Sequence, residues 1–183
     1  LTFNPDFSQI ESDRPQIEVN QRFALFFPEL RPFFLEGAEI FSLQQAPITP
    51  VHTRRILDPR YGAKLTGKAG STTIGAMYAN DEAPGSMVDR DDPAFGQTAQ
   101  IFVGRVRHDL YTESHVGAMF TDRKFLDSHS RLAGIDGNFR LGSTSSLRTV
   151  IYGTQHRDLN GLETTGYLLG GSTDRNGRHL SYT

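Results

Sequence analysis

In the stretch "RLAGIDGNFRLG", residues 131–142, Ala133, Ile135, Phe139 and Leu141 fall on one phase of a two-residue alternation. Gly134, Asp136, Asn138 and Arg140 fall on the other. Strand side chains alternate between two faces, so the pattern predicts a strand with one apolar and one polar side. At twelve residues it is about twice the usual length of five or six.

The same alternation recurs from residue 60 onward. It predicts strands over 60–69, 71–79, 98–110, 115–123, 131–142, 146–156 and 162–173, with another beginning at 178. The connections between them alternate in length. "AGS" near 70, "YTES" at 111–114, "STS" at 143–145 and "DRNG" at 174–177 are tight, the last with Asn176-Gly177 to supply positive φ. The stretch 80–97 is long, and 124–130 ("KFLDSHS") and 157–161 ("RDLNG") are longer than the tight turns.

A meander places successive connections at opposite ends. Short turns on one rim and longer loops on the other are the layout of an outer-membrane barrel. Tilted strands of about 9–11 residues also match the thickness of a bilayer's hydrocarbon. Closure then leaves no backbone group unpaired in lipid. The expected fold is therefore all-β, an antiparallel up-and-down meander forming part of a transmembrane β-barrel. The alternative is a soluble meander or sandwich, with one face in the core and one in water. The polar phase favours the barrel: Arg105, Arg107 and Asp109 on one strand, and Asp136, Asn138 and Arg140 on another, interleave with glycines as in a crowded lumen. The strand at 146–156 fits least well. Neither Leu147/Thr149/Ile151 nor Val150/Tyr152/Thr154 is cleanly apolar.

Residues 1–45 follow a different rule. They hold 8 of the 13 Phe and a net charge of −4, leaving +2 for residues 46–183. The segment "RFALFFPELRPFFLEGAEIF" is aromatic but punctuated by Pro28, Pro32 and Gly37. Pro32 is suited to open a short helix and Gly37 to limit it. The chain thus divides into an acidic, Phe-rich, irregular segment at 1–45, serving as plug, lining or linker, and a meander at 46–183, incomplete at its end. Leu1 is not an initiator Met, and "GRHLSYT" reads as a strand just beginning. The chain is accordingly expected to be an internal piece of a longer protein.

Composition narrows the function classes. The chain is 37% hydrophobic and 22% charged, with 18 Gly, no Cys and no Trp. No apolar run approaches the roughly 20 residues of a spanning helix. Without Cys there is neither a disulfide framework nor a thiolate metal site. A formal charge of −2 offers no global attraction to nucleic acid.

"TFNPDFSQIESD", "ALFFPELRPFFLEGAEIF" and "GAKLTGKAGSTTIGAMYA" resemble a bacterial family of uncharacterised domains. These domains follow an N-terminal family-nine-type carbohydrate-binding module. The likeness is densest over residues 2–79. The family's usual Ser-Arg-Arg-Ile-Gly appears only as "TRRILDPR" at 53–60. The resemblance implies a membrane-barrel-like domain in the outer membrane of a Gram-negative bacterium, with the carbohydrate-binding module upstream of Leu1. It implies no catalytic residues. The expected partners are outer-membrane lipid, carbohydrate through that upstream domain, and other envelope proteins; no cofactor is expected.

Motifs for chemistry are few. Gly62 to Lys68, "GAKLTGK", nearly matches a phosphate-binding loop, but Ala69 stands where Ser or Thr is needed, and a strand rather than a helix follows. "DRDDP" at 89–93 gathers three carboxylates without the spacing of an EF-hand. The six His are dispersed, though His108 and His115 flank one turn and are within reach of approaching each other. Glu36 and Glu39 sit three apart, as on a helix face. No metal site and no catalytic residue is expected. What remains is a set of polar positions predicted to face the lumen: Lys64, Lys68, Arg105, Arg107, Asp109, Arg123, Asp136, Asn138 and Arg140. Three arrangements are open to them. They line the barrel around the acidic 1–45 segment, they pair with one another, or they form an anion-conducting pore.

Overall fold

The structure, a computed structural model, describes residues 1–3, 29–43, 48–176 and 181–182 of the 183-residue chain. Seven long strands of 10–14 residues carry the fold: β2 (Pro59–Ala69), β3 (Thr72–Asp81), β4 (Ala99–Tyr111), β5 (Ser114–Phe125), β6 (Ser128–Leu141), β7 (Ser145–Arg157) and β8 (Glu163–Asn176). The two-residue strands β1 (Thr2–Phe3) and β9 (Ser181–Tyr182) form the edges. Each strand pairs antiparallel with the next in the chain, giving one open up-and-down sheet. The predicted strands match to within a few residues, including the weakly patterned one at 146–156.

The connections match less fully. Those at 70–71, 112–113 and 142–144 are tight, with Gly70, Glu113 and Gly142 at positive φ. At the opposite rim, 82–98 is long and carries the one-turn helix α2 (Ala83–Ser86), and 158–162 is intermediate. The expected longer loop at 124–130 is instead a two-residue turn at 126–127. Pairing runs down to Phe125 with Ser128, and Leu126 absorbs the reversal at φ 53°. Of the turn predicted at 174–177, residues 174–176 belong to β8, and Gly177 lies outside the described residues.

The sheet's two faces differ sharply. One has no other part of the described chain packed on it. There the register sets Ile74, Val106, Ala118, Ile135, Ile151 and Leu169 in a single rank across six strands. Beside it run Leu65, Ala76, Phe120, Ala133 and Tyr167. This bare face leaves Ile135 55%, Ile151 51% and Leu169 74% exposed.

The other face is covered by the segment before β2. Pro32 opens the short helix α1 (Pro32–Leu35), as predicted, and Gly37, at φ 68°, ends it and starts a 3₁₀ turn over Ala38–Phe41. Phe34, Phe41, Leu43 and Ile56 of this cover form one core with Met77, Ala79, Val103, Met119 and Tyr152 of the sheet. The cover continues past residue 45, since Ile48 and Val51 pack on the same core. Gly75 makes room for it: a Cβ there would lie 2.7 Å from Ile40 Cγ2. Lys64 Nζ donates to the carbonyls of Phe33 and Glu36.

Two polar clasps fix the cover's ends. Arg31 donates to both Glu29 oxygens, at 2.7–2.8 Å, and to the carbonyls of Thr53, at 2.8 Å, and Ile56. Thr53 Oγ1 completes the first clasp by donating to Glu29 at 2.6 Å. Where the cover joins β2, the buried carboxylate of Asp81 accepts from the amide of Asp58 at 2.7 Å and that of Leu57 at 3.3 Å.

Candidate functional site

All nine polar positions singled out in the sequence fall on the covered face, because cross-strand partners share a face. Register links Lys64 with Met77 and Val103; Lys68 with Thr73, Arg107 and Asp136; and Arg123 with Ile101 and Ser130. The face is shared, but the residues form separate groups.

The innermost group centres on Asp136. Its oxygens accept from Arg105 Nη1 at 2.7 Å and Nη2 at 2.8 Å, and from the Tyr152 hydroxyl at 2.9 Å. The Arg105 and Asp136 side chains are only 4% and 10% exposed. Such a bidentate pair satisfies two desolvated charges together. Gly134, the register partner of Tyr152, admits the ring: a Cβ there would stand 2.5 Å from Tyr152 Cδ1.

Toward the tight-turn rim lies a second group. Lys68 Nζ meets Asp109 at 2.6 Å, and Arg107 Nε lies 3.4 Å from the same carboxylate. At that rim Asn138 donates to the Glu113 carbonyl at 2.8 Å, and Arg140 meets the Glu113 carboxylate at 3.0 Å. Arg123 stands apart from these groups, near the rim of the long connections. A cavity of about 280 Å³ lies between the 3₁₀ turn and the sheet, lined by Glu39, Arg105, Arg107, His115, Asp136 and Arg148 among others.

The charges around Asp136 and Asp109 are therefore matched within the sheet, as the pairing arrangement expected. Of the seven acids in residues 1–45 that were expected to meet the basic positions, Asp6, Glu11, Asp13 and Glu18 lie outside the described residues. Among the described residues no carboxylate of 29–43 pairs with a cation of the sheet; Lys64 uses main-chain carbonyls, Asp81 accepts from the Leu57 and Asp58 amides, and an apolar core lies between these contacts. Burial of aromatic side chains drives the docking.

Other expectations settle at specific places. Residues 62–68 run as extended strand within β2, so "GAKLTGK" makes no loop. Asp89, Asp91 and Asp92 sit in the connection between β3 and β4, where Asp92 Oδ1 accepts from the Ala94 amide at 2.7 Å. His108 and His115 point to opposite faces. His108 pairs with Val116 on the bare face, where its ring meets Thr72 Oγ1 at 2.9 Å, while His115 pairs with Asp109 on the covered face. A one-residue offset in register separates them. Glu36 follows α1 and Glu39 lies in the 3₁₀ turn beside the 280 Å³ cavity.

Sequence reasoning missed the burial of Tyr152 and the ion pair of Arg148 with Asp174. The covered phase of β7 mixes Arg148, Val150, Tyr152, Thr154 and His156, and no periodicity marks it. The one available signal was Gly134, a residue without a side chain on the adjacent strand.

Residues 1–59 match the model of a family described as a domain of unknown function, DUF5916. The similarity thus spans the cover and the first residue of β2, and stops before the rest of the sheet. No curated protein matches the chain. No solved structure matches it either.

Proposed function

We propose that this chain is part of an outer-membrane β-barrel in a carbohydrate-associated surface protein, working in anchoring, binding or passage of solutes and not in covalent chemistry. The observation that carries the reading is the bare face. Soluble monomers rarely leave contiguous apolar patches beyond a few hundred Å² in water. Here two ranks of Ile, Leu, Val, Phe and Tyr cross the sheet with no other described residue packed upon them.

The limits of that apolar zone support the same reading. Along β6 it runs from Ala133 to Leu141, with Arg131 beyond. Eight steps of ~3.4 Å give ~27 Å along the strand, or ~20 Å after a tilt of ~40°, close to the ~25 Å band of outer-membrane barrels. Asp122, Lys124, His129, Arg131, Arg157 and Glu163 border it at the end that carries the long connection 82–98. In a barrel that end faces outward and the tight turns face the periplasm. The open sheet closes in this reading by pairing with further strands. No helix among the described residues is long and apolar enough to cross a membrane, which bears only on helical spans. The carbohydrate association rests on the resemblance of residues 2–79 to domains that follow a carbohydrate-binding module.

Fractionation of the native full-length protein, followed by SDS gels with and without boiling, tests the proposal. Recovery in the outer membrane with a heat-dependent band shift is the expected result. A protein that stays soluble without detergent and shows no shift would sink it and install a soluble all-β module of a carbohydrate-processing enzyme.

A further inference from the structure

Near the rim of the long connections, a second cavity of about 680 Å³ opens between the cover and the sheet. Its walls come from the 3₁₀ turn Thr53–Arg55 and the residues around it, and from the covered face of β3 to β7. That volume lies within the ~300–1,000 Å³ typical of small-molecule sites. Three guanidinium groups line it, those of Arg54, Arg55 and Arg123, beside the imidazoles of His52 and His156. The lone carboxylate among the lining residues, Asp122, belongs to the bare face by register and is occupied by Arg131 at 3.1 Å. Neither Arg55 nor Arg123 has an ion-pair partner among the described residues.

This contrasts with the network around Asp136, where acids and bases are matched. The guanidinium groups of Arg55 and Arg123 border a recess walled by Met77, Ile101 and Val103, whose apolar side focuses their positive potential. Burial pushes the His52 imidazole below its ordinary value, the charges of Arg55 and Arg54 push it the same way, and the Glu29 carboxylate opposes them. Thr121 and Ser130 add hydroxyls able to bond a polar ligand.

We propose that this cavity binds a small polar molecule through a carboxylate or phosphate group, with Arg55 and Arg123 as the oxyanion ligands. The guanidinium fork matches either group in bidentate fashion, and a recess of this size leaves room for the sugar or other body that carries it. The site is independent of whether the bare face meets lipid.

Calorimetric titration of the full chain in detergent, with galacturonate, inorganic phosphate and galactose as probes, tests it. The expected result is saturable 1:1 binding of at least one oxyanion and none of galactose, with the stronger oxyanion identifying the group. Arg55→Gln and Arg123→Gln should each weaken binding by about tenfold or more, as expected for the loss of a charged hydrogen bond. Arg123→Lys, which keeps the charge but not the fork, should bind between the parent and Arg123→Gln, and this separates loss of charge from loss of fold. Lys124→Gln, one residue along but on the opposite face, should leave affinity unchanged. Absence of saturable binding by either oxyanion, equal binding of galactose, or unchanged affinity in both Gln variants would overturn the proposal.

Discussion

Asp136 illustrates how much one residue on a strand can hold in place. It neutralises Arg105, accepts the hydroxyl of Tyr152, and lies on the wall of the 280 Å³ cavity. Asp136→Asn would leave the Arg105 guanidinium buried without its counter-charge. The expected cost is about 3–5 kcal/mol, because an orphaned buried charge loses more than the pair contributed. Adding Arg105→Met should recover much of that loss, since an apolar side chain of similar size carries no desolvation penalty. Thermal unfolding of both variants checks this; a single variant within about 0.5 kcal/mol of the parent would show that water already reaches the pair. The sequence displayed Asp136 and Arg105 plainly, as polar residues in an otherwise alternating strand. Tyr152 was hidden, because its burial depends on a glycine in the next strand and on a cover more than a hundred residues earlier.

Among the elements, the strands were legible and the turns less so. Period-two alternation is a local property, and any strand with one consistent face shows it. A turn need not announce itself: Leu126 takes a left-handed conformation that its side chain does not favour, and neighbouring polar residues made 124–130 look like a loop. Strand β7 shows the converse. Its covered phase is mixed in composition, and only pairing with β6 and β8 fixes which side is which. On its bare side, Ile151 stands in mid-rank between Ile135 and Leu169. Ile151→Arg gives a sharp contrast. If that face meets hydrocarbon, the substitution should destabilise the folded protein in bilayers by about 2–4 kcal/mol. At an exposed position of a water-facing sheet it should change stability by about 0.5 kcal/mol or less. Denaturant titration in lipid vesicles distinguishes the two.

For the molecule as a whole, the division of labour lies between cover and sheet, and Glu29 controls one of its fastenings. Burial alone would push the Glu29 carboxyl up, but hydrogen bonds from Arg31 and Thr53 outweigh it and hold the group down at about 2, against an ordinary 4.5. A carboxyl depressed on folding stabilises the fold above its unfolded value, and the contribution fades as pH falls through the folded one. The clasp should therefore be intact above about pH 4.5 and loosen between that and about pH 2. Faster hydrogen exchange at the Phe34 and Phe41 amides across that interval, beyond the change seen in Glu29→Gln, is the expected signature. Equal pH dependence in both proteins would assign the loosening elsewhere.

The order of strands in the sheet is the order of strands in the chain. Each long strand after β2 finds its partner immediately behind it, so the sheet can lengthen by one hairpin at a time against an edge that already exists. Such additions span little chain and cost little loop-closure entropy. The cover is the exception. It precedes β2, yet its Phe41 shares a core with Tyr152 of β7, so its seat is complete only after most of the meander has been laid down. A segment that precedes the sheet in the chain is thus the last to find its place, and assembly ends with the sheet being covered.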